Sequence, residues 1–183
     1  MAESGKAQRT RERIFETALA LFDEHGYEAV TTARIAREAG VSEMTLFRHF
    51  ATKDALVLDD PYDPVIVAAI AEQPAGPPLR RAVAGLRAAW DAMPLEHTEE
   101  LRRRLRIAAE PALRTAIHRN TAATERAVAA QLEADGTAPW AARVVAAAAL
   151  AGLMAGLLDW ASRDTGTLGS AVTAALDILD GHG

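Results

Sequence analysis

One short segment of the sequence, Phe47-Arg48-His49, combines side chains that can bind nucleic acid. An arginine can donate two parallel hydrogen bonds to the edge of a guanine, and an aromatic ring can contact a sugar or a thymine methyl group. Because successive residues of a helix are turned by about 100°, three adjacent side chains cannot all face one protein core. The segment is therefore a candidate contact surface for a molecule outside the fold.

A second segment that could do chemistry is Asp59-Asp60-Pro61-Tyr62-Asp63. Its Asp-Asp-x-x-Asp arrangement is the pattern with which all-α prenyl-transferring and terpene-cyclising enzymes hold magnesium-bound diphosphate. Here Pro61 interrupts the helix on which the carboxylates would have to align, and the only similar cluster is Asp177-Ile-Leu-Asp180. We therefore predict no catalytic residue, no metal site and no cofactor, and keep an Asp-rich all-α enzyme as an alternative.

Composition excludes several classes of protein. The 183 residues include no cysteine, which rules out disulfide frameworks, thiolate metal sites and cysteine nucleophiles. The N-terminal residues MAESGKAQRTRER contain no apolar run that could act as a signal peptide. The longest apolar run, residues 144–158, is shorter than the roughly 20 residues of a membrane-spanning helix. We expect a cytoplasmic protein with no membrane segment, in which this run forms a buried or subunit-interface helix.

Charged and aromatic residues divide the chain near residue 53. Residues 1–53 contain 8 Lys and Arg and 8 Asp and Glu, so the formal net charge of -5 lies entirely on residues 54–183. All four phenylalanines are in the first segment, and all three tryptophans are in the second. Two separate cores are the simplest explanation, and we predict two domains, residues 1–53 and 54–183.

The first segment has the pattern of three helices. Between residues 9 and 25 the apolar residues follow the spacing of one helical face, and Gly26 then ends the helix. Thr31-Thr32 precede a second helix that Gly40 ends, and Ser42 is a suitable N-cap for a third, short helix. Two short helices joined by a glycine-containing turn are typical of a helix-turn-helix, whose second helix enters the DNA major groove.

The second segment is also helical throughout, so we predict an all-α chain with about six helices after Lys53, separated by prolines. Residues 79–93 and 111–134 each carry an apolar seam, and the second seam is polar in its middle. Polar groups on an inward-facing stripe need partners, and a cavity that holds a ligand or water provides them. The candidate ligand-binding residues are Trp90, Met93, His97, Leu101, Leu105, Asn120, Thr121, Thr124 and Met154.

Some of these residues have a simpler interpretation. Trp90 and Met93 also fit ordinary core packing, and His97 fits a hydrogen-bonded surface or core residue. If the effector has an anionic head, Arg87, Arg104 and Arg114 are the candidates to bind it. We interpret the arginine-rich residues 102–106 as a solvated helix face with acidic neighbours, because charge runs on helices usually have that role.

The last two predicted helices, residues 137–162 and 168–179, are rich in alanine. Gly152 and Gly156 lie four residues apart, on one face of the first of them. Small residues at that spacing allow two helices to approach closely and to bury a broad apolar face. We expect this pair to form the subunit interface.

The segment from Thr32 to Lys53, TARIAREAGVSEMTLFRHFATK, preceded by Phe22-Asp-Glu-His-Gly-Tyr27, resembles the DNA-binding domain of the TetR family of bacterial transcription regulators. The resemblance covers about residues 9–56 and departs at Phe47, where the family commonly has tyrosine. It implies that Thr32, Phe47, His49 and Lys53 face phosphate, and that Glu43, Met44, Thr45 and Arg48 lie where bases are read. The residues expected at the DNA are Thr32, Ser42, Glu43, Met44, Thr45, Phe47, Arg48, His49 and Lys53.

The second half is similar to an actinobacterial TetR subgroup whose ligand domain is described as acyl-CoA-like, through residues 59–64, 103–113 and 157–161. The resemblance implies an effector cavity and a four-helix dimer interface made by the last two helices of each subunit. We predict a homodimeric repressor that binds a pseudo-palindromic double-stranded DNA operator and is released by a small, apolar or acyl-bearing effector. The alternative within this class is a constitutive DNA-binding regulator without an effector.

Overall fold

The computed structural model of the chain describes residues 2–59, 63–92, 98–163 and 165–181. Within these ranges the chain forms ten α-helices and no strand, so the predicted all-α fold is confirmed. The helices are α1 Ala2–His25, α2 Thr32–Glu38, α3 Glu43–His49, α4 Ala55–Leu58, α5 Asp63–Ala71, α6 Pro78–Asp91, α7 Thr98–Ala108, α8 Arg114–Ala134, α9 Pro139–Ser162 and α10 Leu168–Leu179. A short 3-10 helix, Pro111–Leu113, precedes α8.

The chain divides into two compact units. The first consists of Met1–Asp59 with Arg103–Ile117, and the second of Asp60–Arg102 with His118–Gly183. The functional boundary that we placed after Lys53 stays a prediction, because compactness does not define where a function ends.

The helix boundaries agree closely with the sequence pattern except at the start of α1. We predicted a start near Arg9, and α1 begins at Ala2. The additional residues include Ala, Glu, Lys and Gln, which favour helix without needing an apolar face, and they therefore carry no periodic signal. In the described part of the chain seven helices follow Lys53, where we predicted about six, because the single turn of α4 is too short to show a period.

The core of the first unit joins distant parts of the sequence. Its fully buried side chains come from α1, α2, α3 and α4, and also from the end of α7 and the start of α8. Leu56 and Val57 of α4 are buried in this core, together with Ile107 and Leu113. The larger buried residues are Ile14, Leu19, Phe22, Tyr27, Val30, Ile35, Leu46, Phe50, Leu56, Val57, Ile107 and Leu113.

Close helix contacts organise the second unit. A methyl group built on Gly85 of α6 would lie 2.6 Å from Ile70 Cα, so α5 and α6 are in backbone contact there. A methyl group on Gly156 of α9 would lie 2.7 Å from Ala175 Cβ of α10. The predicted close approach of the last two helices is confirmed within one chain, between α9 and α10. The predicted subunit interface stays a prediction.

The helix α9 has 24 residues, and by length and composition alone it could cross a membrane. Only 22% of its most apolar 18-residue stretch is buried in the single chain. Helices of soluble proteins that pack in a core or an interface have the same composition.

Candidate nucleic-acid interface

Two short helices, α2 and α3, present the segment singled out in the sequence. The Thr31 hydroxyl accepts a hydrogen bond from the Arg34 amide at 3.2 Å at the start of α2. The Ser42 hydroxyl accepts one from the Thr45 amide at 3.1 Å at the start of α3. Between the two helices Gly40 has a φ of +64°, which glycine adopts at little cost. The predicted caps and the predicted turn are therefore confirmed.

The two faces of α3 differ sharply in burial. Leu46 within the helix and Phe50 directly after it are buried in the first unit's core. The opposite face carries four exposed side chains, Glu43, Met44, Phe47 and Arg48. Met44 is 83% exposed and Phe47 is 45% exposed. Apolar groups beside a guanidinium on one helical face suit the major groove, where thymine methyl groups and guanine edges are read.

Two of the residues predicted to face phosphate make contacts within the protein. Thr32 Oγ1 donates a hydrogen bond to Glu43 Oε2 at 3.2 Å, which holds that carboxylate near the start of α2. Lys53 Nζ donates to the Tyr27 carbonyl oxygen at 2.5 Å and lies 4.1 Å from the centroid of the Tyr27 ring. Both roles at the DNA stay predictions. The Thr32 hydroxyl has one hydrogen and must leave Glu43 to donate to a phosphate oxygen, whereas the Lys53 ammonium has three N–H donors and can keep its bond to Tyr27.

Tyr27 is hydrogen-bonded to two carboxylates that also act on Lys53. Its hydroxyl donates to Asp54, and its backbone N–H donates to both carboxylate oxygens of Glu110, at 3.2 and 3.3 Å. Burial, and then the Asp54 carboxylate, raise the pKa of Tyr27 well above its ordinary value. Burial lowers the pKa of Lys53, whereas the carboxylates of Asp54, Glu28 and Glu110 act in the opposite direction. The Tyr27 phenol therefore stays protonated and donates to Asp54 throughout the physiological pH range.

His49 is the last residue of α3 and is half-buried. Partial burial, and then the nearby Arg48 and Arg11, lower the pKa of His49 below its ordinary value. The neutral imidazole is therefore favoured in the free protein. A phosphate beside the ring would act in the opposite direction, because an anion favours the imidazolium.

Arg11 of α1 is a residue of this region that the sequence pattern did not single out. It donates a hydrogen bond to the His49 carbonyl oxygen at 2.5 Å and forms an ion pair with Asp59. Its guanidinium also lies 4.2 Å from the centroid of the Phe50 ring. Arg11 precedes Ile14 by three residues and so lies on the apolar stripe of α1. An arginine on such a stripe was the signal that could have identified it.

The predicted ligand-binding residues are distributed over both units, and their role in ligand binding stays a prediction. Met93 and His97 lie outside the described residues. Leu105 belongs to the first unit and Thr124 to the second, and both side chains are buried in the chain. Thr124 lines a cavity of about 430 Å³ between α5 and α8. Residues of the second unit that were predicted but do not line this cavity are Trp90, Leu101, Asn120, Thr121 and Met154.

The cavity is lined mainly by small apolar side chains. Its lining residues are Pro64, Val67, Ala68, Ala71, Ala123, Thr124, Ala127 and Gln131. None of these residues is charged. Arg87 instead donates to Asp177 at 2.8 Å, and Arg104 belongs to the first unit, where it donates to the Asp59 carbonyl oxygen at 3.2 Å. The arginines suggested for an anionic ligand head are thus engaged elsewhere or, like Arg114, exposed.

Comparison with family models gives two matches that follow one another along the chain. A model described as bacterial regulatory proteins, tetR family, matches residues 14–59. A model described as MftR C-terminal domain matches residues 76–182, which is more than half of the chain. The first match contains α2 and α3, and the second contains the cavity-lining part of α8.

Individual relatives have related descriptions. The HTH-type transcriptional regulator TcmR of Streptomyces glaucescens is 38% identical over 82 residues, which are 44% of this chain and 36% of that protein. Such matches span about a third or less of the length of the curated relatives.

Solved structures share the fold along nearly the whole chain. NalD of Pseudomonas aeruginosa, described as the secondary repressor of the MexAB-OprM multidrug efflux pump, has a TM-score of 0.58 and 24% identity, with 97% of each chain covered. FadR of Bacillus subtilis, a transcriptional regulator solved with stearoyl-CoA, has a TM-score of 0.54 and 16% identity, with 93% of this chain and 98% of that chain covered. At these identities the likeness shows the fold alone.

Proposed function

Because this chain belongs to the TetR family of bacterial transcription regulators and is not an enzyme, we propose that it is a repressor that binds a pseudo-palindromic operator as a homodimer. In this proposal it acts in the cytoplasm, and a small effector releases it from DNA. The Asp-rich alternative gains no support, because Asp59 is paired with Arg11 and residues 60–62 lie outside the described residues.

The observation that carries the proposal is the exposed face of α3. Glu43, Met44, Phe47 and Arg48 share this face, while buried Leu46 holds the helix on the core. In the proposed complex α3 lies in the major groove, Arg48 pairs with guanine, and Phe47 or Met44 contacts a thymine methyl group. Without the phenolic oxygen of the common tyrosine, Phe47 contributes only apolar contacts.

The dimer that we propose uses α9 and α10. Trp140, Val144 and Ile178 are 68%, 59% and 70% exposed in the single chain, and burying them in a dimer would remove their apolar surface from water. Val144→Glu should shift sedimentation from dimer to monomer, because the interface would have to bury an unpaired carboxylate. Arg126→Glu, at an exposed position on α8, is the control, and dimers that persist in Val144→Glu would exclude this face.

Effector release requires two states with different affinity for DNA. In the proposed dimer the two copies of α3 contact half-sites about 34–36 Å apart, or a multiple of that distance. An effector that binds more tightly to a state in which the two copies of α3 have a different separation increases the population of that state and so lowers operator affinity. The site that we propose for it is the cavity between α5 and α8, whose uncharged lining favours a neutral, apolar molecule.

A thermal-shift panel tests the effector. A ligand at about 100 times its Kd should stabilise the folded protein by roughly 2.7 kcal/mol. Neutral aliphatic compounds should raise the melting temperature, and Thr124→Leu should reduce the effect by filling the cavity. A flat response of both melting temperature and DNA affinity across the panel would favour the constitutive regulator instead.

The central experiment measures DNA binding by fluorescence anisotropy. The purified protein is titrated with labelled DNA from immediately upstream of its own gene, and with scrambled DNA of the same composition. Phe47→Ala and Arg48→Ala should lose the preference for the first DNA, with Arg48→Ala costing about 1–3 kcal/mol at one base pair. Arg37→Ala, an exposed arginine of α2 paired with Glu38, is the charge-matched control. Equal losses on both DNAs would contradict base reading by Arg48.

A further inference from the structure

A single arginine connects the end of α3 to two other helices of the first unit. Arg11 Nη1 donates a hydrogen bond to the carbonyl oxygen of His49, the last residue of α3, at 2.5 Å. Arg11 Nη2 donates to the carboxylate of Asp59, the residue that follows α4. The face of the same guanidinium lies 4.2 Å from the centroid of the Phe50 ring. Nη1, Nη2 and the planar face of the Arg11 guanidinium therefore each make a separate contact.

Asp59 is held in turn by a second arginine. Arg104 of α7 donates from Nη2 to the Asp59 carbonyl oxygen at 3.2 Å. The Arg104 guanidinium lies 5.9 Å from the centroid of the Phe15 ring of α1. Asp59 is therefore bound through its backbone and through its side chain, which limits the directions in which Arg11 can point.

Helix α3 needs such support because it is short. It has seven residues, and an isolated helix of fewer than about 12 residues is unstable in water. The last carbonyl groups of a helix have no partner within the helix, and a cation near them is stabilising. Arg11 supplies both a donor and a positive charge at the end of α3, one residue after Arg48.

We propose that Arg11 and Asp59 are positioning residues for DNA recognition. They hold the C-terminal end of α3 at the angle at which Phe47 and Arg48 reach the DNA, and they do not touch DNA themselves. The inference rests on the proposed function of α3 as the helix that reads DNA. The pair is half exposed, so its direct contribution to stability is small, and its main effect is on orientation.

The sign of one mutational effect separates positioning from long-range electrostatics. Asp59→Asn removes a negative charge from a DNA-binding unit, so electrostatics alone would strengthen binding to every DNA. Positioning predicts that affinity for the upstream DNA falls about fivefold, while affinity for scrambled DNA stays the same or rises. An increase of both affinities by the same factor would overturn the proposal.

Two substitutions of Arg11 and a matched substitution of Arg13 test the role of Arg11. Arg11→Gln should lower affinity for the upstream DNA about tenfold more than affinity for scrambled DNA. Arg11→Lys keeps the charge and a donor, and it should recover part of the preference. Arg13→Gln removes the same charge from an exposed position of α1 and should lower both affinities equally. If Arg11→Gln and Arg13→Gln have the same effect, Arg11 acts only through its charge.

Hydrogen exchange of the DNA-free protein provides a second readout. Amides of residues 43–53 should exchange faster in Arg11→Gln and Asp59→Asn than in the wild type, and Arg13→Gln should leave them unchanged. If the wild type does not prefer the upstream DNA to scrambled DNA, the proposed function fails, while exchange still tests the positioning role. If the wild type is specific and Asp59→Asn keeps both its preference and its exchange rates, the positioning role is wrong. Asp59→Asn carries the test alone if Arg11→Gln does not fold.

Discussion

Alanine at Gly85 should destabilise the second unit, because Gly85 is where α5 and α6 are in backbone contact. A methyl group built there would lie 2.4 Å from Ile70 Cγ1, 2.6 Å from Ile70 Cα and 2.8 Å from Ile70 N. Non-bonded carbon atoms pack at about 3.5–4.0 Å, so α5 would have to move by roughly 1 Å. Rotating the Ile70 side chain cannot relieve the clash, since two of the three atoms belong to the backbone.

Two opposing contributions determine the size of the effect. Overpacking of this kind costs about 1–3 kcal/mol of unfolding free energy. Alanine in place of glycine within a helix contributes about 0.5–1 kcal/mol of stability. Because backbone atoms must move, the overpacking cost lies in the upper part of its range, at about 2–3 kcal/mol, and a helix gain near 1 kcal/mol leaves a net loss of about 1–2 kcal/mol. Each 1 kcal/mol lowers the melting temperature of a protein of this size by about 2–4 °C. Gly85→Ala should therefore melt about 2–8 °C below the wild type.

The assay is thermal unfolding followed by far-ultraviolet circular dichroism. Gly169 of α10 is a matched control, because no atom of the described structure lies within 4 Å of a methyl group built there. Gly169→Ala should leave the melting temperature unchanged or raise it by up to about 2 °C. If Gly85→Ala melts at or above the wild-type temperature, the contact does not limit helix approach and the reasoning is refuted. A displaced α5 would also reshape the cavity, so Gly85→Ala should weaken effector binding.

Two further predictions concern charged groups. Arg81 is 11% exposed, pairs with Asp135 at 2.8 Å and donates to the carbonyl oxygens of Ile70 and Ala71 at the end of α5. Arg81→Met should lower the unfolding free energy by roughly 3 kcal/mol, because Asp135 loses its cation. Urea denaturation measures this loss, and a loss below about 1 kcal/mol would contradict the prediction. His49 has a pKa below the ordinary 6.5 in the free protein, and phosphate would raise it, so DNA affinity should increase as pH falls from 8 toward 6 at constant salt. In His49→Gln, anisotropy titrations should show a smaller pH dependence, and equal slopes in both proteins would exclude a phosphate contact.

Local features of the DNA-binding unit were predictable because they depend on neighbouring residues. Thr31 and Ser42 cap α2 and α3 through amides three residues ahead, and Gly40 adopts its φ without reference to the rest of the fold. The exposed and buried faces of α3 follow from the helical period alone.

Contacts between distant residues were not predictable from the same patterns. Arg11 contacts His49 and Asp59, which are 38 and 48 positions away, and its role depends on how α1, α3 and α4 pack. The sequence also did not show that Lys53 contacts Tyr27, or that Gly152 and Gly156 face α10, because these contacts too depend on how the helices pack.

The core of the first unit has a consequence for how the protein is made. Ile107, Ala108, Leu113 and Ala116 complete a core whose other buried members precede residue 59, so the ribosome must synthesise α5 and α6 in between. At about 5–20 residues per second, roughly 3–12 s separate Asp59 from Ile117. During this interval the nascent chain contains α3 but not the whole core that supports it. A newly synthesised regulator can therefore engage its operator only after its middle segment has left the ribosome, and a chain cut after residue 59 should fold incompletely.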